Sequence, residues 1–197
     1  VLMRKLIAML RLARPKDWTK SVFVLLPVPF ALAAHDGRFS LARFALGLAG
    51  FCLTSSAVYC YNDARDAEAD RLHPRKKNRP VAAGLVTVRE AYLEAIALLS
   101  AGAALSFLSG SLGALWLTLL YAIANGFYTH YAKHIAPLDI FLLASFFVLR
   151  VFLGCALVDA APSNWLVLCS STLALFLALA KRRSDLMAGL DESHRQS

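Results

Sequence analysis

Long apolar runs, separated by short charged stretches, limit what this chain can become. Six blocks stand out: Trp18–Ala34, Leu41–Tyr61, Ala91–Leu108, Leu112–Tyr131, Leu138–Val158 and Trp165–Ala180. Most reach the roughly 17–25 residues a helix needs to cross a bilayer; the first and last sit at or just under that limit. Backbone surrounded by lipid must satisfy its own hydrogen bonds, so helices are the form such blocks take. No strand alternation competes. A soluble domain carries about 45–50% apolar residues, arranged as stripes. Here 58% of residues are hydrophobic and they come as blocks. The expectation is an all-α, polytopic transmembrane bundle of about six spans, with residues 1–197 forming a single membrane domain.

The net charge of +8 invites a nucleic-acid reading, but its distribution excludes one. With the amino terminus cytoplasmic and the six blocks alternating direction, 18 of the 21 Lys and Arg residues fall on the cytoplasmic side. Only Arg38 and Arg43 lie in outer loops, and Arg150 lies within a block. That bias is the positive-inside pattern, and it predicts a multi-pass protein of the plasma (inner) membrane. Cys52, Cys60, Cys155 and Cys169 all fall in apolar blocks without a CxxC pair, and read as small buried residues. No small-residue cleavage site follows the first block, so no removable signal peptide is expected.

The most informative segment follows the second block: Asn62-Asp63-Ala64-Arg65-Asp66-Ala67-Glu68-Ala69-Asp70. If the helix continues past the membrane face, Asp63, Asp66 and Asp70 share one stripe at i, i+3 and i+7, with Glu68 on the other side. Three like charges on a stripe repel, so something positive must offset them. Mg²⁺ suits the role, since it takes hard oxygen ligands from one or two carboxylates together with substrate phosphates. Asn62 adds a neutral oxygen. The basic run Arg75-Lys76-Lys77-Asn78-Arg79-Pro80 comes next, held in a loop by Pro74 and Pro80. Carboxylates for a metal and cations for phosphate are the two halves of a metal–phosphate site. Lys77 and Arg79, nearest the return to the membrane, are the chosen cations. The bland alternatives are a solvated helix end and a basic loop touching lipid headgroups.

Other polar residues lie at membrane depth. Arg150 calls for an anionic partner, either Asp139, three helical turns earlier on nearly the same face, or a substrate phosphate. Tyr121, Asn125 and Tyr128 form a polar stripe that runs toward Lys133. His130 and His134 stand at i, i+4 but lack a third metal ligand. Lys181-Arg182-Arg183-Ser184-Asp185 ends the sixth block at the same face as the acidic segment.

These residues together resemble the UbiA superfamily of intramembrane prenyltransferases, whose first motif, NDxxDxxxD, reads here as Asn62-Asp63, Asp66 and Asp70. The resemblance implies a UbiA-like helical fold of nine helices, of which about six would be present. Three features are similar to the branch that moves 5-phosphoribosyl from phosphoribosyl diphosphate to polyprenyl (decaprenyl) phosphate for cell-wall arabinan precursors. They are Arg14-Pro15-Lys16-Asp17-Trp18-Thr19-Lys20, His73-Pro74 through Arg79-Pro80, and Lys181-Arg182 followed by Asp185. In that branch the last acid is usually Glu, so Asp185 departs mildly. By this resemblance Asn62, Asp63, Asp66 and Asp70 hold Mg²⁺, with Asp63 and Asp66 catalytic. Lys20, Lys77, Arg79, Tyr128, Lys133, Lys181 and Arg182 meet phosphates, while Asn125, Asp139, Arg150 and Asp185 complete the substrate site. The site faces the cytoplasm, and a homo-oligomer is compatible with it. Two alternatives stay open: an aromatic or quinone prenyltransferase using a prenyl diphosphate, against which Lys181-Arg182 counts, and a non-catalytic membrane protein that would tolerate Asp63→Ala.

Overall fold

The computed structural model describes residues 2–34, 40–74 and 76–187, leaving out the side chains of residues 2, 34, 134, 136, 185 and 186. Among the described residues the secondary structure is helical throughout. The elements are α1 (Leu2–Ala13), α2 (Val28–Ala34), α3 (Leu41–Arg65), α4 (Ala67–Leu72), α5 (Val88–Leu108), α6 (Leu112–His130), α7 (Ala136–Leu157) and α8 (Asn164–Met187). A 3₁₀ stretch, Pro15–Leu25, joins α1 to α2.

Five helices, α3 and α5–α8, are long and apolar enough to cross a membrane. At 1.5 Å per residue they measure about 28–37 Å, bracketing the roughly 30 Å hydrocarbon layer. Local signals set their starts. Thr87 and Glu90 form a reciprocal capping box on α5, and Ser111 accepts from the amide of Ala114 to cap α6. Gly110, at φ 75°, makes the tight reversal between α5 and α6.

The first apolar block is not the continuous span the sequence suggests. Pro27 and Pro29 lack the amide hydrogens a helix needs there, and the block divides into the 3₁₀ stretch and the seven-residue α2. It nevertheless runs the length of the bundle. Arg14 lies beside Asp63 at the far end of α3, whereas Ala34 is only seven residues from Leu41 at its start. At about 2.0 Å per 3₁₀ residue and 1.5 Å per α residue, the pieces cover roughly 30 Å.

Close approach holds the helices together. A Cβ on Gly102 would sit 2.7 Å from the carbonyl oxygen of Gly50 and 2.4 Å from the hydroxyl of Thr54, so α3 and α5 meet backbone to backbone. Gly154 does the same for α7, where a Cβ would lie 2.1 Å from the Val24 carbonyl oxygen. The main core gathers Val24, Phe51, Tyr121, Phe146 and Leu153; a second, toward the site, gathers Leu12, Cys60, Val81, Val86 and Ala91. Outside, Trp116 is 68% exposed, Ile123 70%, Phe141 62% and Phe176 65%. Large apolar side chains left bare on this scale belong against lipid. Cys52, Cys60 and Cys155 are buried as expected; Cys169 is exposed on α8.

Candidate active site

The polar residues converge at one end of the bundle. Among the described residues α3 is the longest helix, and its last turn carries Asn62 and Asp63 beyond the packed middle. There the helix breaks at Asp66, whose backbone (φ −86°, ψ 8°) separates α3 from α4. The helix expected to carry all three carboxylates on one unbroken stripe is therefore interrupted between Asp63 and Asp70. Asp63 and Asp70 lie buried, 2% and 3% exposed, Asp66 is half-buried beside Lys133, and Glu68 faces solvent.

Cations hold each carboxylate. Arg14 donates to both oxygens of Asp63, at 2.7 and 3.0 Å. Arg79 bridges two acids through one nitrogen, 3.1 Å from Asp63 and 2.7 Å from Asp70. Lys76 stands 4.0 Å from Asp70. Lys133 donates to Asp66 at 3.2 Å. The Tyr128 hydroxyl donates to Asp139 at 2.6 Å, and Arg182 lies 3.7 Å from the same carboxylate. Asn62 accepts from the Thr129 hydroxyl at 2.9 Å, which ties α3 to α6. Burial, with Arg79 alongside, pushes the Lys76 amine below its ordinary value.

These groups surround a cavity of about 410 Å³. Three carboxylates line it, Asp63, Asp66 and Asp139, as do six cations: Arg14, Lys76, Arg79, Lys133, Lys181 and Arg182. Asn62, Tyr59, His73 and Tyr128 complete the wall. The surplus of positive charge suits a polyanion. Among the described residues no three His, Cys, Asp or Glu side chains cluster closely enough to cage a metal alone. Asp63 and Asp66 nonetheless bring two carboxylates to the cavity, a donor set that fits a hard cation such as Mg²⁺. One cation position shared by Asp63 and Asp70 already exists, filled by the guanidinium of Arg79.

Several expected residues lie elsewhere. Lys77 is exposed outside the cavity, and its neighbour Lys76 takes the inward place. Lys20 contacts Asp17 and Tyr59. Asn125 uses its amide on the Tyr121 carbonyl of its own helix. The side chain of Asp185 lies outside the described residues. Arg150 does not pair with Asp139. Its guanidinium donates to the Phe146 carbonyl at 2.6 Å and the Tyr121 hydroxyl at 3.2 Å, and packs 5.0–5.5 Å from the rings of Tyr121, Phe51 and Phe147. Aromatic faces and backbone dipole take the place of a carboxylate. Lys76 and Arg14 stand in segments that the sequence singles out, yet neither was picked there as a site residue. Lys76 differs from Lys77 only in how a short 3₁₀ turn points it. Arg14 precedes Pro15, which disfavours the right-handed helical region, and its left-handed backbone (φ 50°) marks the turn beside Asp63.

Fold and cavity together describe an integral membrane protein with an acid-and-base pocket at one end of a helical bundle. The UbiA prenyltransferase family profile matches residues 21–191, and the chain belongs to that family. It is 36% identical over 181 residues to a decaprenyl-phosphate phosphoribosyltransferase of Corynebacterium glutamicum, covering 91% of this chain and 54% of the relative. A decaprenyl-phosphate phosphoribosyltransferase of Mycolicibacterium smegmatis is 34% identical over 188 residues, 90% of this chain and 57% of its own. The chain thus spans little more than half the length of these relatives. Among solved structures, a UbiA homolog from Archaeoglobus fulgidus bound to GPP and Mg²⁺ superposes with a TM-score of 0.77 at 25% identity, over 95% of this chain and 66% of that one.

Proposed function

We propose that this chain carries the catalytic pocket of a Mg²⁺-dependent transferase that moves 5-phosphoribosyl from phosphoribosyl diphosphate to a polyprenyl phosphate, of the decaprenyl class, releasing diphosphate. One observation carries the reading: the acid-lined cavity is over-filled with cations, six against three lining carboxylates, in a chain 36% identical to a decaprenyl-phosphate phosphoribosyltransferase. A pocket that must accept phosphates from two substrates needs that surplus.

The chemistry asks little covalent help from protein. The lipid phosphate is already an anion, and one of its oxygens attacks the ribose C1 carbon as the C1–O bond to diphosphate breaks. Asp63 and Asp66, with Asn62 and Asp70, are the residues that would hold Mg²⁺, which supplies charge neutralisation on the leaving diphosphate when bound. Arg14, Lys76, Arg79 and Lys133 supply the remaining positive charge around that leaving group. Lys181 and Arg182 stand across the cavity, where the lipid phosphate would approach. Asp139 orients two of these donors, Tyr128 and Arg182, and so fixes the angle at which the reactants meet. We place the site at the cytoplasmic face of the inner membrane, the side the charge bias designates, and link the product to cell-wall arabinan precursors. We further read residues 1–197 as one membrane domain.

A second reading has an observation of its own. The Archaeoglobus fulgidus homolog is bound to GPP, a prenyl diphosphate, so the same fold accommodates a prenyl donor.

Membranes containing the chain, given radiolabelled phosphoribosyl diphosphate and decaprenyl phosphate, decide between the two. The expected result is label in the lipid phase, lost without Mg²⁺ and reduced at least about 100-fold by Asp66→Asn. Transfer of a labelled prenyl group in place of phosphoribosyl would favour the second reading. Silence here, alongside transfer by the Corynebacterium glutamicum relative in the same membranes, would overturn the first.

A further inference from the structure

A second cleft, of about 710 Å³, lies on the other side of Arg14 and Arg79 from the acid pocket. It is bounded by the end of α1, the start of the Pro15–Leu25 stretch and the loop from Asn78 to Leu85. Its walls are of two kinds. Ile7, Leu10 and Leu85 make an apolar side. Arg11 and Lys16 stand exposed at the rim, and among the described residues no carboxylate lies within salt-bridge distance of either. The one acid in the cleft, Asp17, is already held by Lys20 at 2.9 Å.

α1 places this cleft relative to the membrane. Ala8 and Leu12 bury one face of the helix against Cys60, Ala64 and Ala91 of α3 and α5. The opposite face carries Met3, Leu6, Ile7 and Leu10, 72, 57, 43 and 56% exposed, with Arg4 and Arg11 along its flank. The helix sits level with the polar end of the bundle, tied there by Lys5 to Glu90 and by Arg14 to Asp63. An apolar face with basic flanks at that depth lies among lipid headgroups. Ile7 and Leu10 belong both to this face and to the cleft, so the cleft opens toward the headgroup layer.

We infer that the cleft binds the phosphate headgroup of an anionic glycerophospholipid, held between Arg11 and Lys16, with the start of an acyl chain against Ile7, Leu10 and Leu85. A free phosphate would leave the apolar wall unused. The choline of a zwitterionic lipid would bring a further cation to a rim whose exposed charges, Arg11 and Lys16, are both positive and whose one acid, Asp17, is already paired with Lys20. Arg14 and Arg79 form the partition, touching this cleft on one side and Asp63 and Asp70 on the other, so a seated headgroup bears on the acid pocket. The inference rests on the chain's place in the membrane and not on phosphoribosyl transfer.

The test uses the purified chain in phosphatidylcholine nanodiscs containing a trace of photoactivatable phosphatidylglycerol, with labelled peptides mapped by mass spectrometry. Label is expected on segments 5–20 and 78–88, displaced by unlabelled phosphatidylglycerol but not by extra phosphatidylcholine or inorganic phosphate. The double substitution Arg11→Gln/Lys16→Gln, at two exposed positions, should lower labelling about tenfold. Leu10→Glu should lower it through the apolar wall. Undiminished labelling in the charge variant, or equal displacement by phosphatidylcholine or inorganic phosphate, would overturn the inference. Since transfer is not the readout, either proposal can fail without the other.

Discussion

Arg79 is the residue on which the pocket's order most depends. Its guanidinium separates the carboxylates of Asp63 and Asp70, both nearly inaccessible to water. Arg79→Gln would leave two buried acids facing each other and should destabilise the protein by about 3 kcal/mol, read as a shift in detergent-induced unfolding. Adding Asp70→Asn should recover a good part of that loss, because one of the repelling charges goes with it. Asp63, Asp66 and Arg79 were legible in the sequence because their chemistry is written in local spacing. Arg14 was not. It reaches Asp63 across 49 positions, through a left-handed turn that no periodicity announces. Arg150 misled for another reason. It was expected to pair with Asp139 or a substrate phosphate, and in place of Asp139 it meets three aromatic rings, a hydroxyl and a carbonyl.

Among the elements described, the contact of α3 with α5 is the most extensive, and in it backbone meets backbone. Gly102→Leu would drive a side chain into the Gly50 carbonyl and should cost about 3 kcal/mol or more. Gly126→Ala, on α6, meets nothing within 4 Å and should be nearly neutral in the same detergent-induced unfolding measurement. Equal effects at the two positions would refute the close-packed seam. Hydropathy found five of the six passes well, since a block of apolar residues without proline has only one form in lipid. It misjudged Trp18–Ala34 because a composition average is blind to the two prolines that divide it. The break between α3 and α4 was equally invisible, as Asp66 interrupts the helix without any Gly or Pro to mark it.

For the whole molecule, orientation is the open property that charge alone designates. Thiol labelling of intact cells would check it, using a Cys169→Ser background to remove the exposed cysteine. Leu72→Cys, 89% exposed at the polar end, should resist an impermeant reagent until the membrane is opened. Ala161→Cys, in the loop joining α7 to α8 at the other end, should react at once. The opposite pattern would invert the topology and with it the side on which the pocket meets its substrates.

The ion pairs that fill the pocket also decide what kind of binding it can perform. Among the described residues no carboxylate there waits for its first counter-charge, since Asp63, Asp66, Asp70 and Asp139 each already have one. An arriving metal and polyanion would take partners from one another's places, in the manner of an ion exchanger. Most of the charge would be neutralised before and after the event. Affinity should accordingly change less with ionic strength than six open cations would dictate, a slope that titration across a salt series would measure.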